Sequence, residues 1–211
     1  MPKLYTEFAG RSLDRLSALS DGIFAFSMTL LVLDIHVPSR EAVHSGEELA
    51  AALIEILPSF TTWLMSLMIL GIFWVGQQTQ LCHLRNSDRN YTWYTLTLLA
   101  FVTAIPFSTK LLTAFIHFRL ALLLYWANVF FIGALIYISW NYACRHKLIK
   151  PEVTEEVYRA VKRRVFTAQA LYAFGAALCV FNNYWSIGFI VAVQLNYVFA
   201  PRIPFLYELT A

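Results

Sequence analysis

Residues 15–35 read RLSALSDGIFAFSMTLLVLDI, and this stretch decides the fold. It is long and apolar enough to enter a membrane, yet it carries Asp21 between Ser20 and Gly22. An ionisable group at the centre of a lipid-spanning helix costs roughly 2.5–3.5 kcal/mol on insertion scales. Such a residue calls for a partner, so the helix that bears it is more than a plain anchor.

The rest of the chain agrees with a membrane setting. Of its 211 residues, 59% are hydrophobic and only 14% are charged. Ordinary soluble domains carry about 45–50% apolar and about 25% charged residues. A single soluble core has no room for that excess, and the expectation is an all-α, polytopic membrane protein. A bilayer core needs about 20 residues of helix, and six segments meet that length approximately: residues 16–35, 49–81, 91–112, 121–142, 166–181 and 185–201. The whole chain, 1–211, then forms one six-helix transmembrane domain. The second segment is overlong and contains Pro58, which predicts a kink, a tilt or an extension beyond the membrane. Residues 145–164 mix glutamates with basic residues after Pro151, the pattern of a short amphipathic helix at the membrane face.

Loop charge orients the bundle. With the N-terminus in the cytoplasm, 13 of the 16 basic residues fall on that side and only Arg40, Lys110 and Arg119 on the other. The positive-inside rule therefore places both termini in the cytoplasm. The net charge of +3 is spread through these loops and does not suggest nucleic acid. Cys82, Cys144 and Cys179 are odd in number, lack paired or metal-ligand spacing, and read as reduced thiols. Residues 1–14 are polar and show no cleavable signal peptide. No phosphate loop, nucleophile elbow or catalytic carboxylate pair is present, so an enzyme and a cofactor are not expected.

Successive residues lie about 100° apart around a helix. Gly22, Phe26, Thr29 and Leu33 then share one stripe, with Leu30 at its edge, and Asp21 points roughly 130° away from the middle. Two readings follow. The stripe faces lipid or a neighbouring helix while Asp21 is neutralised by packing. Or several subunits bring the stripe to a common axis, where apolar rings gate by excluding water. The geometry of one helix does not choose between them.

The segment resembles the first helix of the prokaryotic branch of the transmembrane protein 175 family of potassium channels. That family's pattern is approximately Arg-x-x-Ala-Phe-Ser-Asp-Gly-Val-Phe-Ala-Ile-x-x-Thr-Leu-Leu-Val-Leu. Arg15, Ala18, Ser20, Asp21, Gly22, Phe24, Ala25, Thr29, Leu30, Leu31, Val32 and Leu33 match it. The resemblance extends to six spans, to an aromatic second helix around Phe73 and Trp74, and to a third ending near Ile105-Pro106-Phe107-Ser108-Thr109. It implies a homotetramer in the bacterial plasma (inner) membrane, with four first helices around a central pathway for potassium and other monovalent cations. By position, Phe26 maps to the narrowest ring, Leu30 and Leu33 to further rings, and Thr29 to a polar contact. Arg15, Ser20 and Asp21 map to a polar scaffold that braces the pore helix. Leu19 replaces a usual Phe, and Phe26 a usual Ile. Gln77 and Gln78 stand where many members have a His pair, a departure that leaves any pH response through that site an open question.

At the outer end, Asp34, His36 and His44 are candidates for a cation site near the mouth, since imidazole and carboxylate groups suit metal ions. The expected partners are copies of the same chain, membrane lipid and permeant potassium. Two other functions fit the same residues: a secondary transporter or proton-coupled permease using Asp21, and a non-conducting membrane scaffold.

Overall fold

A computed structural model describes residues 12–199. Expectations about the termini, with Lys3, Arg11 and Arg202, and about the last residues of the 185–201 span lie outside the described residues. Among these residues the fold is all-helical. Helix α1 is Leu13–Val32, α2 Gly46–Glu55, α3 Leu57–Cys82, α4 Arg89–Thr103, α5 Ile105–Ala114, α6 Arg119–Arg145, α7 Glu155–Ala177 and α8 Asn183–Phe199. Side-chain caps mark several starts: Ser12, Ser45, Asp88 and Thr154 each accept a backbone N–H from the first turn that follows. Such caps satisfy donors that have no carbonyl partner one turn earlier.

Both prolines of the long apolar segments mark breaks. The 49–81 segment is two helices joined at Ile56, and Pro58 sits in the first turn of α3. Its missing N–H costs nothing there; of the kink, tilt or extension expected for this segment, the structure shows a break at Ile56 with the first residues in a separate short helix. Pro106 likewise opens α5 after α4 ends at Thr103. The amphipathic segment expected before the fifth span is also no separate element. It forms the first turns of α7, which runs unbroken from Glu155 because no Pro or Gly interrupts it before Gly175.

Among the described residues, four stretches are long and apolar enough to cross a membrane: Leu13–Val32, Leu57–Cys82, Arg89–Ala114 and Arg119–Arg145. Helix α7 is charged along its first half, and α8, at 17 residues, is about 26 Å long at 1.5 Å per residue.

Helix α3 lies at the centre. It packs against α1, α5, α6 and α8, while α7 closes the far side against α6 and α8. Helix α1 touches α3, α4 and α5 and so stands at the edge of the bundle. Met65, Ile69, Leu70, Val102, Ile105, Leu122 and Ile132 make the fully buried centre. A second cluster of Leu16, Leu81, Leu84, Tyr91, Ala143 and Leu148 closes one end. There a single antiparallel bridge joins Leu84 to Ile149. Arg85 N–H donates to the Leu148 carbonyl at 2.8 Å, and Lys150 N–H donates to the His83 carbonyl at 2.9 Å.

The α4–α5 break is spliced by a side chain from α6. With its amide oriented to satisfy every neighbour, Asn128 donates to the Phe101 carbonyl at 3.1 Å and accepts from the Ile105 N–H at 3.3 Å. One amide thus replaces the missing helical rung between residues 101 and 105. Backbone groups left open in an apolar bundle need such substitutes. The Phe101 carbonyl also accepts from the Ala104 N–H at 3.2 Å, so Asn128→Leu strands the Ile105 N–H alone and is expected to lower stability by about 1–3 kcal/mol, the cost of one buried unpaired donor. Thermal melting in detergent checks this, and an unchanged melt would mean that the break holds itself.

Candidate functional site

Helix α1 divides sharply into two faces. Leu16, Ser20, Phe24, Ser27 and Leu31 are buried against the bundle. On the opposite side Phe26 is 62% and Leu33 72% exposed, and Gly22 and Thr29 are exposed with them. Leu30, at the edge of the stripe, is half-buried. An exposed arc of roughly 160° runs along the helix at 100° per residue. Among the described residues nothing covers Phe26 or Leu33, so the bulkiest apolar side chains of the stripe lie on an open face.

Thr29 adds one polar atom to that face. Its hydroxyl donates to the Phe26 carbonyl at 2.8 Å. The proton is therefore turned into the helix, and the oxygen lone pairs remain free for a donor or a cation.

Asp21 sits at the seam between α1 and α3. Its Oδ1 accepts from Trp74 Nε1 at 2.7 Å and from the Gln78 amide. Gln78 Oε1 in turn accepts from the Ser17 hydroxyl at 3.5 Å. A second tie runs alongside: Gln77 Nε2 donates to Ser20 Oγ at 3.2 Å, and Ser20 donates to the Leu16 carbonyl at 2.9 Å. The structure thus brings Ser20 and Asp21 together with α3. Arg15 stays apart, its backbone N–H bonded to Ser12 Oγ at 3.3 Å and its side chain exposed. Paired ties in an apolar setting restrict how α1 can rotate on α3, because a turn of the helix would strand several donors at once.

Trp74, Gln78 and Ser17 complete this site and lie outside the Arg15, Ser20 and Asp21 set expected from the sequence. A signal was present: Ser17 and Asp21 are four apart on α1, and Trp74 and Gln78 are four apart on α3. That spacing stacks polar groups on one side of each helix.

The outer candidates do not converge. Asp34 Oδ1 pairs with Lys110 Nζ at 3.0 Å. His36 Nδ1 lies 3.0 Å from the Asp34 backbone carbonyl, and His44 N–H donates to Glu48 Oε2 at 2.6 Å. Among the described residues no three His, Cys, Asp or Glu side chains are grouped to hold a metal ion. The three cysteines are free thiols.

The sequence model of a family described as "Endosomal/lysosomal potassium channel TMEM175" matches residues 15–106, from α1 to the start of α5. A potassium channel of Chamaesiphon minutus is 28% identical over 186 residues, covering 85% of this chain and 91% of its own length. The endosomal/lysosomal proton channel TMEM175 of Homo sapiens is 27% identical over 199 residues; these cover 87% of this chain but only 39% of the human protein. The crystal structure of a lysosomal potassium-selective channel TMEM175 homolog from Chamaesiphon minutus superposes with a TM-score of 0.75 at 25% identity. That match covers 89% of this chain and 97% of the other.

Proposed function

The chain belongs to the TMEM175 family, and from that premise we propose that four copies assemble into a potassium-preferring cation channel. The family is one of membrane ion channels, not of enzymes. Each subunit contributes six spans, with both termini in the cytoplasm of a bacterial cell. The four α1 helices surround the axis. Phe26 forms the main constriction, Leu30 and Leu33 form further apolar rings, and Thr29 offers a hydroxyl oxygen to the passing ion. Ser20 and Asp21 hold α1 against α3, and Arg15 belongs to the same polar end of the helix.

One observation carries this reading. The stripe that holds Phe26 and Leu33 is open, while the carboxylate of the same helix is tied into its own subunit. A helix facing lipid on that stripe needs no carboxylate to fix its rotation; a helix lining a narrow path does, because a small turn would misplace every ring. Apolar rings then gate by dewetting, and conduction needs only a wettable path with a tuned barrier. A single helix cannot enclose a path, so the proposal requires oligomers. Four subunits of 24.2 kDa give 96.8 kDa before detergent. Light scattering in mild detergent is expected to report that mass, and a monomer would count against an α1-lined pore.

Mammalian relatives carry the name of proton channel, which supports one competing reading: proton passage, or coupling of protons to a substrate through Asp21. Ion flux into sealed liposomes separates the two. Potassium flux is expected to run down an imposed potassium gradient with no pH gradient present. Flux seen only with a pH gradient would favour coupled transport. A pH change without potassium movement would favour a proton path.

A further inference from the structure

Away from the α1 face, a cavity of about 260 Å³ opens between α3, α6, α7 and α8. Its walls are apolar: Ile72, Phe73, Ile136, Val161, Val165 and Ala168. Arg164 stands at its rim, exposed, and no acidic side chain among the described residues lines it. Three polar atoms belonging to its lining have no hydrogen-bond partner among the described residues: Tyr172 Oη, Tyr197 Oη and Gln169 Oε1. Tyr172 is 2% exposed, so its hydroxyl is buried with no described group to receive its proton. A buried hydroxyl without a partner is costly, and native structures rarely leave one open.

Arg164, Ala168 and Tyr172 are spaced four apart on α7, on one side of that helix. Tyr172 lies about 12 Å along the axis from Arg164. The lining thus reads, from rim to depth, as a cation, a short apolar stretch and hydroxyl donors. Arg159 is not part of this set, since its guanidinium pairs with Glu155 at 3.4 Å.

We propose that this cavity holds one anionic phospholipid per subunit. The phosphate pairs with Arg164, the ester carbonyls accept from the tyrosine hydroxyls, and the start of an acyl chain lies along Phe73, Val165 and Ala168. The charge pattern selects the class of ligand. A single cation with no carboxylate nearby receives a phosphate but offers nothing to the ammonium of a zwitterionic head, and a basic residue near the membrane surface attracts anionic lipid. The apolar walls favour a lipid over a free anion. The proposal rests on the chain being a membrane protein and is independent of where the ion path runs.

Native mass spectrometry of the full-length protein in mild detergent tests it, with phosphatidylglycerol, phosphatidylcholine and glycerol phosphate as separate probes. One phosphatidylglycerol per subunit is expected to be retained about fivefold more tightly than phosphatidylcholine, the preference one basic residue supplies. Arg164→Gln is expected to erase that preference. Tyr172→Phe is expected to weaken retention of both lipids while the lipid-free protein melts no lower, an outcome that a purely structural hydroxyl would not give. Equal retention of the two lipids by the unaltered protein overturns the proposal. Displacement of phosphatidylglycerol by glycerol phosphate also overturns it, because the site would then be one for free anions. Potassium flux measured on Arg164→Gln keeps the two readings apart: normal flux with lost lipid preference leaves both standing, and normal flux with unchanged preference sinks only the lipid site.

Discussion

Phe26→Ser is expected to raise resting potassium flux into liposomes by about tenfold or more, the largest functional change of any single substitution in this chain. The reason lies in where the ring sits. Phe26 is 62% exposed on the open face of α1, and no side chain among the described residues covers it. Brought to a common axis, four such rings make an apolar constriction from which water withdraws, and ions cannot follow without their hydration. Serine at the same position offers hydroxyl oxygens and a smaller volume, so the passage rewets. A tenfold gain needs only ~1.4 kcal/mol off the barrier, less than fully burying one Phe side chain is worth, about 1.5–3 kcal/mol. Leu30→Ser is expected to act in the same direction but less strongly, because Leu30 is half-buried at the edge of the stripe. Phe174→Ser, on the outer helix α7 and also exposed, serves as the control and is expected to leave flux unchanged. If Phe26→Ser leaves flux at its starting level while Leu33→Ser raises it, the constriction lies at Leu33 instead.

Asp21→Ala is expected to cut the yield of the proposed 96.8 kDa tetramer by about tenfold while leaving the ion preference of the surviving fraction unchanged. The carboxylate is the shared acceptor for Trp74 and Gln78. Its removal leaves two donors facing an apolar seam, and hydrogen bonds to charged groups contribute about 1.5–3 kcal/mol each when well shielded. Asp21 is exposed in the isolated subunit, so the lower end of that range applies. A modest loss per subunit still counts four times in a symmetric assembly. Asp21→Asn keeps one acceptor oxygen and is expected to fall between the two. Gln78→Leu should lose part of the same stability, and the double variant should lose less than the sum, since the two residues share one contact. A fully assembled Asp21→Ala tetramer with altered selectivity would move Asp21 from the brace to the ion path.

These two results separate the jobs of one helix, and the separation was partly visible in residues 15–35. Helical periodicity alone puts Phe26 and Leu33 on one stripe and Asp21 on another. What occupied the far side of Asp21 was not visible. Trp74 and Gln78 lie 53 and 57 residues further along the chain, and their role depends on the axial register of α3 against α1. Asn128 is a similar case. As a lone amide in an apolar run it has no local explanation, and its use appears only when α6 lies beside the gap between Phe101 and Ile105.

Proline was legible as punctuation but ambiguous in kind. Pro58 suits a kink within a helix or the first turn after a break. The structure takes the second course, which places α2 outside the bundle with none of its residues buried. The charged start of α7 is ambiguous in sequence for the opposite reason. A change from polar to apolar composition looks like a boundary, yet the backbone of Glu155–Ala177 meets no helix breaker where the composition changes.

Composition and periodicity alone predict a helical membrane protein whose first helix carries an apolar stripe and a separate carboxylate. Those properties are local, since composition sets the solvent and 100° per residue sets the faces. Which face is covered follows from the packing of the helices. Helix α1 packs on α3, α4 and α5 through Phe24, Ser27 and Leu31, the Trp74–Asp21–Gln78 contacts tie that arrangement, and Phe26 and Leu33 are left open. That choice depends on the register between helices, which no residue encodes alone.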